Sequence, residues 1–564
     1  MNDAAFIAAS SASISGWIPF VVLVLYLMVL LVIGCIGYYL SKSGEEDYYL
    51  AGRGQGWMIS SLTIMATFFS SFALLGAPGM VYREGVVFAL VSLNVPIAGF
   101  CVYLLGSRIW LAGQKHGYVT QADMLCEHYN SHLLLRPLIT FVGVLFAIPY
   151  VIMQLKAGGE LAAVLFADYA YAFEIGTIVL AAITALYIMI GGMRSVAWTD
   201  ALQCLLLVLG MLLAGVAMVV SLGGLSGFRD AVAELPDSSK TVPGNSGFWQ
   251  LPMLFTVCLL MPIGGIIQPA QWMRFYAARD RDALKKSALI FIVLLTGCFM
   301  FGIMLVGLGG QALYPLQFNE SGVQPAPGIE SYDQILVVIL KDHLPIMLGP
   351  TLGIAFASLA IVAIMAAAMS TADSNLHALS ALITRDIYDR FIRPQAGENE
   401  RVWVGRFVIL AATSASLSFV LIANRPESTL SGFMEMIVDL ALFAVAFSVQ
   451  LLPMTIDVLF LRRGNGIAAT AGLSAGLLTA FLFTPLLPLL VEITGLSAFD
   501  SLLAWVEQAH SFLPVHASAW GLVVNTLVFL VISLVVVRPR SPKLPSSRRT
   551  NDRPAEAETV PSVH

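Results

Sequence analysis

The chain has 564 residues, 58% of them hydrophobic and only 12% charged, with a formal net charge of −5. A soluble domain carries roughly 25% charged residues, so an ordinary water-soluble protein is excluded and an all-α protein that crosses the membrane many times is expected. The six cysteines lack the spacing of a disulfide framework or metal site and read as packing residues.

A span needs about 20 apolar residues to cross about 30 Å of hydrocarbon. Thirteen such runs are predicted, at 17–39, 56–82, 85–113, 134–165, 171–191, 199–222, 248–272, 284–311, 344–382, 402–424, 431–460, 467–493 and 517–537. The first sixteen residues lack the basic segment and cleavage site of a secretory signal, so the first run is expected to be retained. Loop charges orient the chain, because Lys and Arg collect on the cytoplasmic side. The loops after even-numbered runs hold only Arg83, Arg229, Lys240, Lys341 and Arg425. Basic stretches such as RFYAARDRDALKK and RDIYDRFIRPQAGENER follow odd-numbered runs, which places the amino terminus outside and the carboxyl terminus in the cytoplasm. The tail after Val537 is rich in Pro, Ser and charge and reads as a solvated, disordered end, too short for a catalytic domain.

Two runs are interrupted where a membrane helix tolerates interruption only if the freed backbone lines a site or is buried in protein. In the second run, FFSSFALLGAPGMVY carries Gly76, Pro78 and Gly79; in the seventh, LLMPIGGIIQPAQWMRF carries Pro262, Gly264, Gly265 and Pro269. Matched interruptions five runs apart predict an inverted five-plus-five repeat, with 56–222 as the first repeat and 223–460 as the second. Residues 1–55 then form the amino end, first helix and cytoplasmic loop, 461–537 two peripheral helices, and 538–564 the tail. Ordinary helix kinks are the alternative. Carbonyls released at a break can ligate a small hard cation. In the ninth run, AAAMSTADSNLHALS sets the Ser370 and Thr371 hydroxyls three and four residues after Ala367, near its carbonyl on one face. Such neutral oxygens suit Na+, whereas hydroxyls serving only as helix glue are the rival reading.

Four stretches, DYYLAGRGQGW, FSSFALLGAPGMVYREG, YIMIGGMRSVAWTDALQ and AAAMSTADSNLHALSALITRDIY, resemble the sodium:solute symporter family in order and position, over about residues 15 to 460. The resemblance implies the same inverted-repeat fold and a sodium site made of the carbonyls of Ala66, Phe69 and Ala367 with the hydroxyls of Ser370 and Thr371. It implies that Ser70 lies next to sodium and that Asp200 assists ion release, with a helix cap as the alternative for Asp200. Proline-type members place an acid where this chain has Phe68, which weakens a proline assignment. The solute is expected beside the breaks, among Leu75, Gly76, Tyr150, Gln154, Gly265, Gln268 and Trp272. GAPG followed by YREG resembles the carboxylate-carrying branches. Lys156 can meet a substrate carboxylate, or pair with Glu160 one turn on. Asp373 reads as a network residue, and His377 as packing or a proton relay.

The expectation is a sodium-coupled importer of a small organic solute, foremost an organic carboxylate, in a bacterial inner membrane. Its partners are solute, Na+ as coupling ion and lipid, with no organic cofactor, no nucleic acid and no required protein partner. An amino acid or sugar symporter and a solute sensor are the alternatives. An enzyme would cluster its eight His with acids near one interface, and a channel would need a continuous polar pore.

Overall fold

The long elements are all helices, because in hydrocarbon each backbone N–H and C=O needs an internal partner and a helix supplies one. The computed structural model describes residues 17–536 apart from 41–43, 132, 167–168, 321, 426, 432–435 and 495–498. The expectations for the amino end and for the tail lie outside the described residues. Helix α1 is Trp17–Leu40 and α2 the short Glu45–Leu50. Trp57–Phe68 (α3) and Ala77–Glu84 (α4) are followed by α5, Val86–His116, and α6, Gln121–Tyr129. Next come α7, Leu135–Leu165, and α8, Ala172–Ser221. Leu251–Ile267 (α9), Pro269–Ala277 (α10) and Arg281–Leu313 (α11) lead to a small antiparallel hairpin, Gln317–Asn319 with Gly322–Gln324. The rest is α12, Ile335–Leu348; α13, Pro350–Ile392; α14, Glu398–Ala423; α15, Ile437–Leu461; α16, Gly466–Leu482; α17, Leu486–Thr494; α18, Asp500–Phe512; and α19, Ala517–Val535.

Among the described residues nine helices are long and apolar enough to span a membrane, or up to twelve if each bent pair is one span. Helix α8, with 50 residues, is too long for one crossing at 1.5 Å per residue. It is divided at Gly192, where φ is 57° and ψ −168°. A side chain there would be strained by the positive φ and would lie 3.0 Å from the Tyr48 carbonyl oxygen, so glycine is required. The predicted fifth and sixth spans therefore meet at a kink, without the loop expected between them. The predicted ninth span begins too early: Gly349, at φ 81°, separates α12 from α13. Helix α13 in turn runs to Ile392, through RDIYDRF, where the charge pattern predicts a loop.

The buried spans form the inside of the bundle. In their most apolar stretches α7, α13 and α15 bury 72%, 67% and 78% of residues, against 22%, 33% and 22% for α1, α14 and α19, which face outward. Both expected breaks are present, bent by 58° between α3 and α4 and by 53° between α9 and α10. Their positions differ from the sequence reading. The first falls at Phe69, with φ −91° and ψ 77°, ahead of Gly76, Pro78 and Gly79, which are helical. Those glycines permit close packing: a Cβ on Gly79 would lie 2.7 Å from the Tyr332 carbonyl oxygen. The second falls at Gln268 (φ −62°, ψ 155°), where Pro269 drives the preceding residue out of helical geometry. A third bend, of 62° between α16 and α17, was not anticipated, although Pro485 marks it.

Candidate functional site

At the first break the last turn of α3 loses its regular backbone donors, and side chains arrive in their place. The Thr371 hydroxyl lies 3.2 Å and the Ser370 hydroxyl 3.5 Å from the Ala66 carbonyl oxygen, and Ser370 also meets the Ala367 carbonyl at 3.0 Å. Phe69 is the residue at which α3 ends, and all five residues are fully buried. Ala66, Ala367, Ser370 and Thr371 are thus brought together from two helices, offering neutral carbonyl and hydroxyl oxygens, a donor set that fits a monovalent hard cation. Among the described residues no cluster of three or more His, Cys, Asp or Glu is placed to hold a metal. The Ser70 hydroxyl accepts from the Phe72 amide at 3.1 Å, turning the chain within the break.

The break is stabilised from α7. Gln154 Oε1 accepts from the Ser71 amide at 3.1 Å, while its Nε2 donates to the Tyr150 carbonyl at 3.0 Å. Gln268 caps the other break, accepting from the Ala270 amide at 2.8 Å. A buried amide left unmet costs about 1–3 kcal/mol, so these two glutamines hold the backbone in its non-helical form.

Between the breaks lies a cavity walled by Thr67, Phe68, Phe72, Phe146, Tyr150, Gly265 and Gln268 with Asn94 and Met261. About 10 Å³ in it is open to the centre of a water molecule, room for about one water. Three expected solute residues, Tyr150, Gly265 and Gln268, line it. The others lie elsewhere. Gly76 packs on Ile437 and Val438, with Leu75 next to it in the same helical stretch, because the break precedes them. Trp272 is buried in α10, edge-on to Tyr276. Phe68, where proline-type members carry an acid, forms an apolar wall against Gly265 and the Phe291 ring.

A buried polar ladder continues from Ser370. Asp200 is fully buried, 2.8 Å from Arg274 of α10 and 2.5 Å from the Thr63 hydroxyl. It lies inside α8, which removes the helix-cap alternative. Arg274 also bonds Thr63 Oγ1 at 2.9 Å, the Ala270 carbonyl at 3.1 Å and Ser374 Oγ. Ser374 in turn bonds the Ser370 carbonyl at 2.6 Å and Thr67 Oγ1 at 3.1 Å, so Asp200 is connected to α13 through Arg274. Asp373, read as a network residue, is fully buried, and among the described residues neither carboxylate oxygen has a hydrogen-bond partner. His377 bonds the Tyr48 carbonyl at 3.1 Å between two tyrosine rings, the packing arrangement. Lys156 has Asp333 at 2.7 Å as well as Glu160 at 3.4 Å, and Asp333 had not been singled out. Its place in a loop far along the chain gives no signal of the pairing.

A model of the sodium:solute symporter family matches residues 48–476. The sodium/proline symporter of Haemophilus influenzae is 28% identical over 474 residues, covering 82% of this chain and 88% of the relative. The sodium/pantothenate symporter of Escherichia coli is 25% identical over 445 residues, with 78% and 84% covered. A solved structure, the substrate-bound outward-open state of a Na+-coupled sialic acid symporter, matches with a TM-score of 0.69 at 18% identity, covering 93% of this chain and 98% of that one. The fold is shared with that symporter.

Proposed function

The chain belongs to the sodium:solute symporter family, and on that footing we propose that it imports a small organic carboxylate together with Na+ by alternating access. The observation that carries the reading is the meeting of the Thr371 and Ser370 hydroxyls with the Ala66 carbonyl at the end of a broken span. With the Ala367 and Phe69 carbonyls these would form the sodium site. Divalent cations take more oxygens and carboxylate charge, so the neutral set favours Na+. Proline, pantothenate and sialic acid, the solutes in the names of similar proteins, all carry a carboxylate, which supports the class but not the member.

In this reading the ion ties α3 to α13. The break it steadies forms the wall of the solute cavity, so ion and solute each raise the other's affinity by the same factor. Tyr150, Gly265 and Gln268 meet the solute. Inward opening exposes the ion to low internal sodium; Ser70 and Asp200, through Arg274, shape the path by which it leaves. A membrane potential adds about 2.3 kcal/mol per charge per 100 mV. Residues 56–222 and 223–460 act as the two inverted repeats, in a bacterial plasma membrane with the amino terminus outside.

The test is thermal stability of purified protein with short carboxylates, pantothenate, amino acids and sugars, in sodium and in choline at matched ionic strength. Ligands of the native state raise its stability by mass action. Stabilisation by a carboxylate only with sodium present is expected; no response to sodium under any condition would remove the ion site.

A further inference from the structure

A buried ammonium at membrane depth is costly without a partner. Lys156 of α7 is only 3% exposed, and its nearest carboxylate comes from outside the spans: Asp333 belongs to the short turn Tyr332–Gln334 ahead of α12, yet is fully buried. The Asp333 oxygen that meets Lys156 at 2.7 Å also accepts, at 3.0 Å, from the amide of Ile437, the first residue of α15. An ammonium and the free amide of a helix start are the donors that recognise a carboxylate. Glu160, 3.4 Å from Lys156, is engaged by Gln334 at 2.9 Å.

Two further observations mark this as a site and not a simple brace. Among the described residues the second oxygen of Asp333 is buried with no hydrogen-bond partner, so the aspartate fills the cradle imperfectly. The cradle also adjoins the broken span: a Cβ on Gly76 would lie 3.0 Å from Ile437, and one on Gly79 2.7 Å from the Tyr332 carbonyl. We propose that Lys156 and the amino end of α15 form a subsite for the solute's carboxylate, and that Asp333 occupies it until the solute carboxylate displaces it as the 331–334 turn lifts. This rests on the importer reading above and adds to it where the charged end of the solute binds.

The test uses Asp333→Cys in the full chain and needs no knowledge of the natural solute. An anionic and a cationic methanethiosulfonate reagent of similar size are compared, with the unsubstituted protein as background for the native cysteines. The anionic reagent is expected to react at least tenfold faster. Propionate is expected to slow that reaction where equal propionamide does not, and adding Lys156→Met to abolish both effects. Equal rates for the two reagents, or equal protection by the amide, would reduce the pair to a latch and overturn the proposal. If Asp333→Cys misfolds, Asp333→Asn serves: propionate must then stabilise the variant at several-fold lower concentration than it does the unsubstituted chain, and an unchanged concentration counts against the subsite. Sodium-dependent stability that persists in Lys156→Met separates failure of this subsite from failure of the ion site.

Discussion

The Ala66 carbonyl faces two hydroxyls from another helix because Phe69 leaves helical geometry and strips that oxygen of its regular donor. A hydrogen-bonding or ligand contact to a charged group is worth about 1.5–3 kcal/mol, so Thr371→Ala is expected to weaken Na+ binding roughly tenfold or more. The sodium concentration that gives half of the maximal thermal shift measures this, and an unchanged value would exclude the hydroxyl as a ligand. Arg274→Met should destabilise the protein by about 3–5 kcal/mol, since it takes the guanidinium away from the fully buried Asp200. Adding Asp200→Asn should recover part of that loss; additive melting shifts would contradict the pairing. The spacing of Ala367, Ser370 and Thr371 made legible the pair of hydroxyls that faces the Ala66 carbonyl. Arg274 was not legible, because it stands in RFYAARDRDALKK, a stretch whose charge density reads as loop. The pairing of Lys156 with Asp333 joins residues 177 positions apart, which no local pattern encodes.

Helix breaks are legible as proline and glycine but not to the residue, since the backbone unwinds where capping partners exist. Gln154 and Gln268 decide the positions here. Gln154→Leu is expected to leave the Ser71 amide unmet and cost about 1–3 kcal/mol, read as a lower melting temperature in sodium. Packing between the two breaks is equally specific, for a Cβ on Gly265 would lie 2.8 Å from the Phe68 ring. Gly265→Ala should therefore cost about 1–3 kcal/mol by overpacking, and Phe68→Ala in the same chain should relieve part of it; no relief would show that the strain lies elsewhere. Outside the spans, burial pushes the Asp123 carboxyl up, but the Arg136 guanidinium 2.9 Å away and Arg385 outweigh it and hold the group below the usual carboxylate range. A depressed group contributes its stability above its unfolded value, about 3.9, and loses it as pH falls through the folded value. Asp123→Asn should thus flatten the acid limb of the melting-temperature curve below about pH 4, and an unaltered limb would assign that loss to other acids.

Across the whole molecule, composition fixed the class, because charge is costly in hydrocarbon, and the orientation rests on the alternation of basic residues between loops. Charge counting misses basic residues that the fold buries: Arg136 and Arg274 are 2% and 1% exposed, paired with Asp386 and Asp200. The direct test is uptake of labelled short carboxylates, pantothenate and proline into proteoliposomes under an inward sodium gradient, with choline and an inward proton gradient as the comparison. Uptake of a carboxylate that needs the sodium gradient and is lost in Thr371→Ala is the predicted result. Uptake driven equally by protons in choline, and indifferent to Thr371→Ala, would contradict sodium coupling at this site.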